Sequence, residues 1–148
     1  MLKLHHDSTL NHYINKYNIN SIFDSSSIKK LELHCFNKNE FIALKSTFPN
    51  YLYFLVEGSA IKYINSISSP EDTYKDFSIL GSIEIFNESS LSYDIKALSD
   101  CICIGFPSYI LLDSNFNDLI FLKFFCKFFS NKLSPSNLNF LTKEKDAI

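Results

Sequence analysis

The chain has 148 residues, of which 46% are hydrophobic and 16% aromatic, enough apolar content for one domain with a core of its own. A formal charge of −2, a pI near 6.0 and the lack of a basic stripe exclude nucleic-acid binding by this segment alone. No run of about 18 apolar residues is present, so no membrane span is predicted. The first residues lack the basic start and apolar run of a signal peptide, which makes the cytoplasm the expected location.

In chain order, Leu10 to Phe23 has a weak helical spacing of apolar residues, with capping groups at Asp7-Ser8-Thr9. The run Ser25-Ser26-Ser27 reads as a loop. From Lys30 the pattern turns to short strands. Leu31 to Phe36 alternates with Leu31, Leu33 and Cys35 on one face, and Phe41 to Leu44 follows after a turn. Tyr51 to Val56 is the strongest strand. Gly58 supplies the positive φ that a hairpin reversal to Ala60–Ile64 demands. Tyr74 to Leu80 reads as a fifth strand broken by Gly81, Ile83 to Phe86 as a sixth, then Tyr93 to Leu98 and Cys101 to Phe106. Eight short strands at roughly 8–12-residue spacing predict an all-β roll, sandwich or barrel. Pro107 ends the last strand and fits the first turn of a small helix.

Asn115 to Leu133 is the clearest helix. Lys123, Lys127, Ser130 and Asn131 make one narrow polar stripe, and apolar residues cover most of the remaining circumference. A helix on a single sheet needs an apolar stripe of only about 100°. This one is predicted to bury two surfaces, one on its own barrel and one on a second copy, because two-fold dimers are the commonest oligomer. Leu122, Phe125, Cys126, Phe129 and Leu133 are the expected dimer-helix residues. Pro135 should kink the helix, with Leu138, Phe140 and Leu141 resuming an apolar pattern.

The four cysteines form no C-x-x-C pair, and Cys101 and Cys103 point to one face of a strand. They are expected to be buried free thiols rather than metal ligands or redox sensors. His5, His6 and His12 lie in the N-terminal segment and His34 on the first barrel strand, where they read as surface or locally hydrogen-bonded residues. No catalytic arrangement, metal motif or phosphate-binding glycine loop stands out, so neither enzymatic activity nor a cofactor is predicted.

Several segments carry a family resemblance. Tyr51-Leu-Tyr-Phe-Leu-Val-Glu-Gly58 resembles the hairpin of the Crp/Fnr regulators' cyclic nucleotide-binding domain. Asp76 to Phe86 resembles the segment leading into their phosphate-binding cassette, and Ile95 to Ile104 the strand pair after it. Asn115 to Leu133 matches the start of their dimer helix. The Gly-x-Ile-Glu-Ile and Cys-x-Cys-Ile variants look closest to the YeiL-like branch.

The resemblance implies a mainly β fold with flanking α: an eight-stranded double-stranded β-helix, or β-roll, followed by a long C-terminal dimerisation helix. It divides the chain into an N-terminal helical segment (1–28), the roll (29–114) and the dimer helix with the start of a linker (115–148). Family members continue into a helix-turn-helix that reads DNA in the major groove, and no such module is expected within this chain.

In nucleotide-binding relatives a Gly-Glu pair, followed by Arg-Ser-Ala, holds the ribose and cyclic phosphate. A buried anion needs such a fixed fork of donors. Here Gly81 matches the glycine, Ser82 replaces the glutamate, Leu91 falls at the arginine and Ser92 at the serine. All 14 basic side chains other than histidine are lysines. The resemblance therefore implies an effector pocket bordered by Gly81, Ser82, Ile83, Glu84, Ser90, Leu91, Ser92 and Tyr93 that does not respond to cAMP, the fold being kept with a different small-molecule effector or with none. The competing reading is a stand-alone cupin-like barrel, either a metal-dependent enzyme or a ligand-free interaction domain. The metalloenzyme version is disfavoured because the barrel carries only His34.

Overall fold

The computed structural model describes residues 1–69 and 72–133. Its strands are β1 (Leu2–Leu4), β2 (Glu32–Phe36), β3 (Phe41–Ala43), β4 (Tyr51–Glu57), β5 (Ala60–Tyr63), β6 (Thr73–Tyr74), β7 (Ser78–Leu80), β8 (Asp94–Ala97) and β9 (Cys101–Pro107). Helices are α1 (Asp7–Lys16), α2 (Ser25–Ile28), α3 (Ser82–Asn87), α4 (Ser108–Leu111) and α5 (Leu119–Lys132). All pairings between these strands are antiparallel. They make a five-stranded sheet in the order β1-β2-β9-β4-β7 and a four-stranded sheet in the order β3-β8-β5-β6.

The five-stranded sheet is buried on both faces, which is why Tyr51 to Val56 is apolar at almost every position. Leu52, Phe54 and Val56 join Leu33, Ile104 and Phe106 on the outer face, against Ile14, Phe23, Phe121 and Phe125 of the helical segments. Tyr53 and Leu55 point the other way, into the roll, with Phe36, Leu80, Ile95, Cys101 and Cys103. One core thus ties the N-terminal segment, the sheet and α5 together, and a second fills the roll.

Five expectations need correction. Ile83 to Phe86 is not a strand but most of α3. Gly81 enters it in the left-handed region at φ 81°, and Ser82 and Ile85 are buried three residues apart, the spacing of a helix face. Over four residues an apolar-polar-apolar pattern cannot separate the two periods. Tyr74 to Leu80 is not one strand: the chain leaves the four-stranded sheet after β6 and joins β4 of the other sheet as β7. Leu2–Leu4 adds an edge strand to β2 within a segment expected to be helical, so the described strands number nine rather than eight.

Ser25 to Ser27 is not a loop but part of α2. The Asp24 carboxylate accepts the Ser27 N–H at 2.8 Å, a side-chain cap that outweighs the weak helix propensity of three serines. The Asp24 N–H in turn donates to the buried Asp118 carboxylate at 2.9 Å, and Asp118 caps α5 by accepting the Phe121 N–H at 3.0 Å. α5 therefore begins at Leu119, four residues later than its apolar pattern suggests. Pro135 and residues 138–141 lie outside the described residues. No described helix is long and apolar enough to cross a membrane.

Candidate functional site

Two adjoining regions of the roll hold the polar and cavity-forming groups. The first is the α3 segment with the chain that follows it. Gly81 turns the backbone with a positive φ into α3. Leu91 is held by its own backbone: its N–H donates to the Thr47 carbonyl at 2.9 Å, and its carbonyl accepts from Ser46 at 2.8 Å. Ser82 is buried, Ile83 is 48% exposed, and Ser90 and Ser92 lie exposed.

Glu84 and Tyr93 are half-buried and bonded to each other, and Tyr74 packs into the same part of the roll. Burial pushes the Tyr93 phenol up, and the Glu84 carboxylate beside it pushes it further. Tyr74 is raised to about 12, again by burial first and by Glu84 second. This end of the roll thus presents a carboxylate and two un-ionised phenols.

The second region is a cavity of about 340 Å³ that adjoins the first. Gly81 and Leu91 line it, together with Phe36, Tyr51, Tyr53 and Leu80. Of the residues expected to border an effector, the structure brings Gly81 and Leu91 to the cavity. It bonds Glu84 and Tyr93 to each other outside that lining, and leaves Ile83 and Ser92 toward solvent.

Two of the lining residues, Tyr51 and Tyr53, belong to a network of polar groups that runs from buried His34 through half-buried Glu32 to exposed Lys3. His34 is fully buried; its Nδ1 is 2.7 Å from the Tyr53 hydroxyl and its Nε2 is 3.1 Å from Glu32. Glu32 also pairs with Lys3 and accepts from Tyr51. The Tyr51 and Tyr53 rings stack at 5.6 Å, with His34 edge-on to Tyr51 at 4.6 Å. Opposite them Gly105 leaves space: a Cβ there would stand 3.0 Å from Tyr53 and 3.2 Å from Tyr51.

Burial lowers the His34 pKa more than Glu32 raises it, so the ring is neutral at pH 7. Glu32 is itself lowered: burial opposes this, but hydrogen bonds from Lys3, Tyr51 and His34 outweigh it. Glu32 and His34, and likewise Tyr51 and Tyr53, are two apart on their strands and share a face. What brings the two pairs together is the β2-β9-β4 order, which no local pattern announces.

Cys101 and Cys103 are buried, and burial raises both thiols, so neither is a thiolate at neutral pH. Among the described residues no three His, Cys, Asp or Glu side chains converge in a way that would hold a metal ion.

No family model matches the sequence, and no curated protein matches it. Solved structures do match, and the class they define is the cyclic nucleotide-binding β-roll. Within that class, the sensor domain of the transcriptional regulator DNR from Pseudomonas aeruginosa is similar with a TM-score of 0.67 at 9% identity, over 84% of this chain and 93% of that one. The regulatory subunit of a cAMP-independent protein kinase A from Trypanosoma brucei gives 0.67 at 12%, over 92% of this chain and 49% of that one. In a variant of that subunit (TM-score 0.62, 12% identity, 91% and 53% covered) a glutamate becomes alanine. Seven and eight positions later a threonine becomes arginine and a valine alanine, and this variant is bound to cAMP in its A site.

The catabolite activator protein of Thermus thermophilus gives 0.63 at 10%, over 80% and 57%. The chain spans about half the length of the kinase subunit. At these identities the likeness is one of fold: a mainly β roll of the kind found in ligand-sensing regulatory domains.

Proposed function

We propose that the chain is the effector-sensing and dimerisation domain of a Crp/Fnr-type transcription regulator of the YeiL-like branch, and that its effector is not a cyclic nucleotide. In this reading it is a cytoplasmic binding domain without enzymatic activity, and DNA contact belongs to a separate helix-turn-helix module. One observation carries the exclusion of cyclic nucleotides: the cassette presents Glu84 and has Leu91 where relatives have arginine. A cyclic phosphate placed there meets a carboxylate, and like charges at close range disfavour binding.

The T. brucei comparison supports the assignment. The three positions changed in its cAMP-bound variant are spaced seven and eight apart, as Glu84, Leu91 and Ser92 are here. The test is to combine Glu84→Ala, Leu91→Arg and Ser92→Ala and titrate with cAMP by calorimetry. The wild type should give no heat of binding at millimolar nucleotide, and the triple variant should gain binding at least a hundredfold tighter. Tight binding by the wild type, or a folded triple variant that stays silent, would overturn the reading.

The dimerisation half rests on α5. Phe121 and Phe125 face inward and are buried, so Phe125 belongs to the core of its own chain. The outward face carries Leu119, Leu122, Cys126, Phe129 and Leu133, alternately three and four residues apart. That is the a/d spacing of a two-stranded coiled-coil seam. Leu119 is 67%, Leu122 39% and Leu133 56% exposed and Cys126 is exposed, while Phe129, at the edge of the seam, already packs on Phe86 and its own chain's core. A second copy laid along this seam supplies the burial that the single chain lacks.

A further inference from the structure

The 340 Å³ cavity sits where β3, the segment from Leu44 to Tyr51 and both ends of the cassette meet. Its buried lining is apolar, made by Phe36, Ile42, Pro49, Leu80, Leu91 and Ile95. Tyr51 and Tyr53 also line it, but their hydroxyls are bonded to Glu32 and His34, which do not. Other polar side chains stand at the solvent-exposed rim. There Asn50 offers an amide, and the Thr47 hydroxyl donates to the Leu44 carbonyl at 2.5 Å.

Among the described residues that line the cavity, none has a charged side chain. The one formal charge on that lining, the Met1 α-amino group, is paired with Glu40 at 2.7 Å. Leu91, at the position where the family resemblance calls for arginine, is 2% exposed and is clipped to Ser46 and Thr47 by two backbone hydrogen bonds. A charged guest would leave water for a lining that offers it no counter-charge, which is costly. Water in the buried part finds few bonding partners, so an apolar guest displaces it at a gain. Phe41 and Leu44, each 48% exposed at the rim, are apolar surface that such a guest helps to cover.

We infer that this cavity is the effector site, and that it takes a small, uncharged, mainly apolar molecule. The inference rests on the sensor reading and adds to it the chemistry of the ligand. At about 340 Å³ the cavity is at the small end of ligand sites, which run from roughly 300 to 1,000 Å³. Selection by charge follows from the lining: size alone would admit neutral and ionic molecules of one outline, whereas an apolar lining without a counter-charge admits the neutral one.

Toluene, benzoate and benzylammonium share one ring and differ in charge at pH 7. The intact chain, titrated by calorimetry, should bind toluene saturably and at least about tenfold more tightly than either ion. The chain has no tryptophan, so Phe48→Trp sets a single indole on the cavity lining as a fluorescent reporter. Phe41→Trp, at the exposed rim, is the second reporter should the first variant fail to fold by circular dichroism. Toluene should shift the reporter's emission over the same concentration range as the calorimetric titration. Benzoate or benzylammonium binding as tightly as toluene overturns the uncharged class. Toluene that binds without moving the emission of a folded reporter variant sits elsewhere, which overturns the assignment of the cavity. No binding of toluene up to its solubility overturns the inference outright. The sensor reading is judged separately, by the cAMP-gain variant.

Discussion

His34 shows how a single buried group sets a pH limit on the whole domain. In the unfolded chain it titrates near its ordinary value of 6.5, and in the folded chain burial holds it lower. Above pH 6.5 both states are neutral there and the stability is complete. As pH falls below 6.5 the unfolded state takes up a proton that the folded state refuses, so stability is lost until pH passes the folded value. Glu32, lowered from 4.5, adds a second loss at more acid pH for the same formal reason. Urea denaturation from pH 7.5 to 5 should therefore show a falling midpoint in the wild type. His34→Gln should be less stable at pH 7 but flatter over the upper part of this range. A wild-type slope unchanged by the substitution would mean that His34 is solvated. The sequence shows a histidine on an apolar strand and leads one to expect a surface or locally hydrogen-bonded ring; the ring is instead fully buried, with Glu32 as its one local partner. Its partner Tyr53 lies across β9, and only the register of three strands puts the two side by side.

At the scale of an element, α5 is the part most legible in the sequence and the part that most needs a partner. Its two apolar faces read directly from 3.6-residue periodicity, whereas its start, expected at Asn115, is set by the Asp118 cap at Leu119. What periodicity could not assign is which face looks inward. The structure puts Phe121 and Phe125 against the sheet and leaves Cys126 exposed in the outward seam. In a parallel two-stranded pairing, equivalent a positions face each other across the two-fold, within the Cα separation of about 4.4–6.8 Å that a disulfide requires. Mild oxidation should thus yield a Cys126–Cys126 cross-linked dimer on non-reducing gels. Cys126→Ser should abolish it while leaving a dimer in sedimentation, and Leu122→Asp should give monomers. A wild-type chain that sediments as a monomer would end the dimer proposal. By contrast α3 was not legible at all, because six residues are too few for a period to emerge.

For the molecule as a whole, a column of aromatic rings ties its three layers together. Phe23, from the N-terminal segment, stacks on Phe106 of β9 at 5.0 Å and on Phe121 of α5 at 5.1 Å, and meets Phe54 of β4 edge-on at 5.7 Å. Phe23 is 1% exposed. Phe23→Ala should cost about 3–5 kcal/mol by removing this contact and leaving a cavity. Because the layers share one core, circular dichroism and aromatic-ring fluorescence should lose their folded signals together. A variant that melts in two steps would show that α5 folds independently of the roll.

Composition and local pattern by themselves pointed to a single domain of short strands and a long helix with two apolar faces, and they established a chain with no arginine, which the family resemblance turned into a cassette unsuited to a cyclic phosphate. These follow from residue type and from periods of two and 3.6, which are properties of the chain within a few neighbours. The tertiary structure decided that Gly81 begins a helix, that the stretch after β6 crosses between sheets, and which face of α5 is inward. It alone assembled Tyr51, Tyr53, His34 and Glu32 into one network, of which the two tyrosines line the cavity. Those facts depend on strand order and register, which join residues far apart in the chain, such as Phe36 and Cys101 or Tyr53 and Gly105. No local pattern encodes them, because each is set by how the two sheets close around their shared interior.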